Sequence, residues 1–321
     1  MTGLRDRIAG LTPELAGPDD PADAAALLAL LRLLYRVGRD DLPLGRLFEG
    51  HVDARQIVAR YGTAAQRAVA AGGAALGVWN AELAGETLHL DDDLRLTGGK
   101  SFASGAGLLS HALVTVDRGG GRQLILLDLG RTPPAIDRTV WDVVGMQRSE
   151  THTVRWSGAA IAADDLIGAP GDYVREPWFS GGALRFAAVQ AGGIAALVDR
   201  TRDHLVATGR AADPHQAGRL AALYGLAEAA AGAVRTAATG WFADDAARIP
   251  RVAAARAAVY GAGGQALALA QEAVGVQALF RAHPLAATIT DLSMYLRQPG
   301  PDAQRMQVGA AVATGLLRPA L

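Results

Sequence analysis

The chain has no cysteine in 321 residues. That excludes disulfides, thiol nucleophiles, zinc fingers and iron–sulfur clusters, and it fits a reducing compartment. Lysine is almost as scarce: Lys100 stands alone among thirty arginines. The formal net charge is −1, with both signs interspersed, so no basic run offers a nucleic-acid footprint. No apolar stretch is long and clean enough to span a bilayer. "AAALLALL" and "AALYGLAEAAAGAV" are broken by charge or dominated by alanine, and the first residues, "MTGLRDRIAGLTPELAG", carry charge where a signal peptide needs an apolar run. These features predict a soluble cytoplasmic protein that binds neither nucleic acid nor membrane. Several catalytic signatures are missing as well. There is no G-x-S-x-G elbow, and the seven histidines show no H-x-x-x-H or H-E-x-x-H spacing. No metal site is expected, and the histidines read as surface, turn or packing residues.

What is present falls into three textures. Residues 1–73 read as a short helical domain. "DPADAAALLALLRLLYRVG" predicts a helix capped at Asp20–Pro21 and ending near Gly38, followed by a helix or helix pair ending at Gly72–Gly73. Residues 74–172 carry short β-rich runs ("LHL", "LRLTG", "ALVTV", "QLILLDL", "THTVRW") between turn sequences. They predict an antiparallel β-barrel or sandwich. Residues 173–321 are alanine-rich and helical, as in a four-helix bundle. The length suits such a multidomain α+β chain.

The densest motif is "TGGKSFASGAG" at 97–107. Its GKS tripeptide is the tail of a phosphate loop. The glycine such a loop needs five residues earlier is Leu94, and no helical pattern follows Ser101. Asp91–Asp93 and Asp164–Asp165 read as solvated turns. "GAGG" at 261–264 lies in a helical run with no strand before it and reads as a close-packing patch.

The order helical, β, bundle resembles that of the acyl-CoA dehydrogenase family, and "TGGKSFASGAG" resembles its T-G-x-K-x-W-I-T/S strand. The resemblance puts Phe102 at the aromatic lying against the flavin and Ser104 at the hydroxyl bonding near flavin N5, two residues apart on one strand face. "GVWNAELAGET" at 77–87 resembles the family's flavin loop. It puts Trp79 and Asn80 at the cofactor and Glu86 on a serine that touches pantetheine. Further blocks keep the family's order: "VGMQRSETHTVRWSGAAIAADDLIGAPGDY", "GGALRFAAVQAGGIAAL", "DPHQAGRL", "ALAQEAVGVQAL" and "TDLSMYLRQPGPDAQRMQVG". They place Arg185 in the substrate site, and Gln271 and Gly275 at the flavin dinucleotide of a neighbouring subunit. Arg210 is the nearest counterpart of an arginine that holds pyrophosphate across the dimer. The resemblance implies FAD as cofactor and an acyl thioester as substrate. It implies α,β-dehydrogenation with hydride passed to the flavin, an electron-accepting flavoprotein partner, and a homodimer or homotetramer.

The sequence departs from the family at the base that removes the α-proton. One anchoring puts that position at Gln298, another, from Asp291, at Pro299. The alternative base position, before Arg185, is Leu184. Asp302 is the nearest carboxylate, and a surface or capping role is its other reading. Two alternatives therefore stand beside dehydrogenation. One is a flavin monooxygenase or oxidase acting on a substrate without CoA and served by a flavin reductase. The other is an inactive homologue kept as a binding or assembly partner.

Overall fold

The computed structural model describes residues 3–15, 19–119, 121–243, 245–298 and 300–319. Its helices are α1 (Leu4–Leu11), α2 (Ala24–Asp40), α3 (Leu42–Tyr61), α4 (Ala64–Ala71), α5 (Trp178–Gly181), α6 (Ala183–Ala207), α7 (Pro214–Thr239), α8 (Arg248–Val274), α9 (Pro284–Tyr295) and α10 (Pro301–Ala313). The strands are β1 (Leu76–Trp79), β2 (His89–Leu90), β3 (Arg95–Ala103), β4 (His111–Arg118), β5 (Gly121–Asp128), β6 (Ala135–Asp137), β7 (His152–Ala160) and β8 (Leu166–Ile167). They form two compact units. A sheet unit comprises Met1–Pro21, Arg46–Val143 and Gln147–Phe179, and a bundle unit comprises Ala22–Gly45, Val144–Met146 and Ser180–Leu321.

In the sheet unit the strand order is β6-β7-β3-β2-β4-β5-β8, with β1 also on β4. The sheet is not purely antiparallel, as the alternation of short strands predicts. β1 runs parallel to β4, with Leu76 opposite His111, and β2 meets β4 in parallel as well. The 31 residues between β1 and β4 hold β2 and β3, enough chain for the crossover that a parallel pair needs. The sheet curls, because side chains of β5 and β7, well separated in the order, share one core with Trp79, Leu96, Val114, Ile125, Val154 and Trp156. The opposite face of β4 and β5 (Leu113, Leu124, Leu126) packs on Ala54, Ile57 and Val58 of α3. With both faces covered, these strands read as continuous apolar runs. The expected helix pair before the sheet is α3 and α4. Thr63 and Gln66 close a capping box at the start of α4.

In the bundle unit α2 begins later than Asp20–Pro21 suggests. Asp23 is the N-cap, accepting from the Ala26 N–H at 2.8 Å. Asp20 is instead ion-paired with Arg60 in the sheet unit. α2 runs past Gly38 to Asp40. A Cβ on Gly38 would lie 2.2 Å from the Val189 carbonyl oxygen, and one on Gly192 would lie 2.0 Å from that of Tyr35. α2 and α6 therefore touch backbone to backbone. Within the 261–264 patch only Gly263 is tight, against Leu296, while Gly261 and Gly264 meet nothing. Among the described residues one helical stretch, Trp178–Ala207, is long and apolar enough to cross a membrane, and 72% of its apolar window is buried.

Candidate functional site

Lys100 lies in β3 and does not cradle phosphate. Its side chain is buried, and Nζ donates to Glu82 Oε1 at 2.6 Å. Burial pushes its pKa down, and Glu82 opposes that shift. Ser101 Oγ also donates to the Glu82 carbonyl, at 2.7 Å. The loop after β1 is thus pinned to β3, which fixes the strand end that follows.

That strand end is irregular. The pairing of β3 with β7 breaks between Lys100 and Ala103. Phe102 has φ +50° and is 65% exposed. A large side chain in the left-handed region costs of order 1–3 kcal/mol and persists where the surroundings enforce it. Here they do: the Gly105 and Ala106 N–H groups donate to the Ser149 and Glu150 carbonyls at 2.9 and 3.1 Å. Simple alternation therefore does not relate Phe102 to Ser104, which lies in the turn just past the strand.

The same zipper brings three hydroxyls together. Thr151 Oγ1 donates to Ser104 Oγ at 2.9 Å, and Ser149 Oγ is 2.7 Å from Thr151 Oγ1. All three residues are buried. Since Thr151 gives its one proton to Ser104, Ser149 supplies the proton between itself and Thr151. The Ser104 hydroxyl accepts from behind and keeps its own proton to donate. Trp79 is 1% exposed, and its Nε1 donates to the Ser104 carbonyl at 2.9 Å, so it fixes Ser104 from the core. Thr115, fully buried, donates to Asn80 Oδ1 at 3.1 Å, which engages the amide oxygen and leaves the amide N–H₂ of Asn80 to donate elsewhere. Glu86 is held by Arg155 at 2.9 Å. Ser149, Thr151 and Thr115 were not singled out by sequence. The "RSETHT" run holds two of them, but only the register of β3 on β7 shows that they back Ser104.

In the bundle unit Arg185 is buried in α6. Gln271 and Gly275 sit at the C-terminus of α8. Gly275 has φ +81° and donates its N–H to the Gln271 carbonyl at 2.7 Å, while Gln271 Nε2 turns back to the Leu267 carbonyl at 3.0 Å. Arg210 Nη2 donates to the Ala273 carbonyl at 3.3 Å, near that helix end. Gln298 lines a cleft with Gln190, Arg256, Tyr260, Gln304 and Arg305. Asp302 does not line it: it is 85% exposed and ion-paired with Arg305 at 3.0 Å. Leu184 is buried and apolar. Pro299 lies outside the described residues. Gln298, Leu184 and Asp302 thus put no buried carboxylate at the positions expected to hold a base. Among the described residues no cluster of three or more His, Cys, Asp or Glu could hold a metal.

No protein-family profile and no curated protein matches the chain. Solved structures do match over nearly its whole length. Butyryl-CoA dehydrogenase from Megasphaera elsdenii superposes with a TM-score of 0.80 at 17% identity, covering 97% of this chain and 89% of that one. Dibenzothiophene monooxygenase (TdsC) from Paenibacillus sp. A11-2 gives 0.79 at 16%, covering 97% and 95%. KijD3, solved in complex with FMN and a dTDP-linked amino-keto sugar, gives 0.78 at 20%, covering 99% and 88%. At such identities the likeness speaks to architecture alone, and the architecture is that of the acyl-CoA dehydrogenase fold.

Proposed function

We propose that the chain is a flavin-dependent oxidoreductase. The observation that carries this reading is the Ser104 hydroxyl, set as a donor by Thr151 and Ser149 beside the exposed, strained Phe102. An isoalloxazine asks for such a pair, an aromatic surface for its ring and a hydrogen-bond donor for its polar edge. The residues present fit the group: Phe102 and Ser104 would hold the ring, and the Asn80 amide would add a second donor. Bound there, the flavin supplies the two-electron redox chemistry. The protein positions it and donates hydrogen bonds from Ser104 and Asn80. By the family resemblance Gln271 and Gly275 would reach the dinucleotide of an FAD held by a neighbouring subunit, and the FMN bound by KijD3 makes FMN the alternative.

Of the two reactions open on this scaffold, dehydrogenation of an acyl thioester needs a base at the α-carbon, and loss of such a base costs about 10²–10⁴-fold in rate. Gln298 is an amide that does not titrate, and Asp302 faces solvent. This favours the second reading, oxygen-dependent oxidation of a substrate without CoA, a class to which the dibenzothiophene monooxygenase of this fold belongs.

The test is a titration of the purified full chain with FAD and with FMN, followed by visible absorbance. Stoichiometric binding of one of them is expected. Thr151→Val should weaken it about three- to tenfold, the worth of one neutral hydrogen bond, and should also lower Tm somewhat because it leaves the buried Ser149 and Ser104 hydroxyls short of a partner. Failure of both flavins to bind would end this reading. Oxygen uptake with reduced flavin, set against an acyl-CoA panel with an artificial acceptor, then separates the two reactions.

A further inference from the structure

The turn that carries Ser104 is gripped from outside by charge. The pairing of β3 with β7 ends at Ala103 opposite His152, and Glu150 lies just before that pair with φ +45°. A residue with a Cβ stays in the left-handed region only where its surroundings enforce it. The Glu150 carbonyl accepts from the Ala106 N–H at 3.1 Å, and its own N–H donates to the Gln147 carbonyl at 3.2 Å. Its side chain is held as well. Oε2 accepts from Arg138 Nη1 at 2.7 Å and from His152 Nε2 at 2.9 Å. The two nitrogens are 3.1 Å apart, as two donors sharing one acceptor are.

Burial assigns the proton on His152. The residue is 5% exposed, and its Nδ1 has no hydrogen-bond partner. With the proton on Nε2, a lone pair is left at Nδ1, whereas the other tautomer would bury an N–H without an acceptor. Arg138 touches the same turn by a second route. A Cβ on Gly107, φ +90°, would lie 2.5 Å from Arg138 Nη2. The clamp thus meets successive residues of the turn, Ala106 through the Glu150 carbonyl and Gly107 through the guanidinium. The Arg138 side chain is 55% exposed, and an ion pair of that kind adds little to stability. Glycine would adopt φ +45° with no steric cost, so what Glu150 adds at this position is its carboxylate.

We propose that Glu150, gripped by Arg138 and His152, is a positioning residue: it holds the 104–107 turn so that the Ser104 hydroxyl meets the polar edge of the flavin. This rests on the flavin reading above. All of the residues belong to the sheet unit.

The experiment is flavin titration of the full chain by absorbance, set beside Tm and amide hydrogen exchange of the flavin-free chain. Glu150→Gly removes the clamp and permits the backbone conformation. It should hold Tm within about 2 °C, because relief at φ offsets the lost ion pair. It should raise the Kd of the flavin that the wild type binds about three- to tenfold, the worth of one misplaced hydrogen bond. Exchange at the Gly105 and Ala106 amides should quicken about threefold or more, with the amides of β4 and β5 unchanged. Arg138→Gln should raise Kd likewise, and the double variant should add little to either single one. A purely structural staple gives the reverse, a lower Tm with Kd unchanged. Should Glu150→Gly fail to fold, Arg138→Gln decides by the same readouts, since that side chain is largely exposed. If the wild type binds neither flavin, the flavin reading falls and this one with it. If the wild type binds and the folded variants bind as tightly, this proposal alone is overturned.

Discussion

The two units of this chain reach a dry interior by opposite means. The sheet unit fills its curled core with large side chains, Trp79, Trp156, Ile125 and several leucines among them. The bundle unit brings α2 and α6 together by removing side chains, with Gly38 and Gly192 set against the partner helix's backbone. Their candidate sites differ in the same way. The turn at Ser104 works through neutral hydroxyls in a fixed relay, while the Gln298 cleft is lined by amides, a phenol and two arginines, one of them paired with Asp302. One unit should therefore be broken by taking atoms away and the other by adding them.

The largest effect is expected at Gly192. Glycine inside a helix is worse than alanine by up to about 1 kcal/mol, so propensity alone predicts that any larger residue stabilises. The Tyr35 carbonyl, 2.0 Å from where a Cβ would sit, predicts the reverse. Gly192→Leu should cost about 4 kcal/mol or more in urea unfolding, because backbone has to move. Gly261→Ala on α8, which meets nothing, should gain a few tenths to about 1 kcal/mol. If both substitutions shift stability alike, the close-approach account of the bundle fails. The mirror experiment is Ile125→Ala. This side chain is fully buried in the sheet core, and the cavity should cost about 3 kcal/mol. A cost below about 1 kcal/mol would show that the curled sheet collapses around the gap and is not packed as tightly as described.

The sequence discloses these two halves unequally. Order and texture of the chain were legible because apolar period and turn residues are local: β3, β4, β5, β7 and the long helices fall where their runs predict. The parallel pairing of β1 with β4 was not legible, because pairing partners are set by packing across 31 intervening residues. At the candidate site Ser104 and Phe102 were accessible through the "TGGKSFASGAG" motif. The positive φ of Phe102, the bulge beneath it and the backing of Ser104 by Thr151 were not, since all three arise from the register of β3 on β7. The Gln298 cleft was hidden for a similar reason. Its arginines come from α8 and α10 and its glutamines from α6, α10 and the segment between α9 and α10, so no run of sequence is basic.

Acid should separate the two units by a smaller margin. His51 in the sheet unit is 1% exposed. Its Nδ1 accepts from the Leu76 N–H at 3.2 Å, and its ring stacks with Phe48 at 6.1 Å. Burial, and secondarily the Arg55 charge, lowers its pKa from 6.5 to about 4. The folded state thus holds His51 neutral where the unfolded chain would already be protonated. Its contribution is fully present above pH 6.5 and is lost as pH falls through about 4, a span worth about 3 kcal/mol. In the bundle unit, His283 Nε2 lies 3.0 Å from His204 Nδ1. The His204 pKa is lowered as well, by burial first and then by His283, but that residue is partly exposed and its share is correspondingly small. Urea unfolding between pH 8 and pH 4 should therefore lose stability mainly through the sheet unit. His51→Gln keeps an acceptor and cannot take up a proton in this range, so it should flatten most of the slope. If the slope survives in His51→Gln, acid is acting elsewhere, and the two units do not divide the loss as stated.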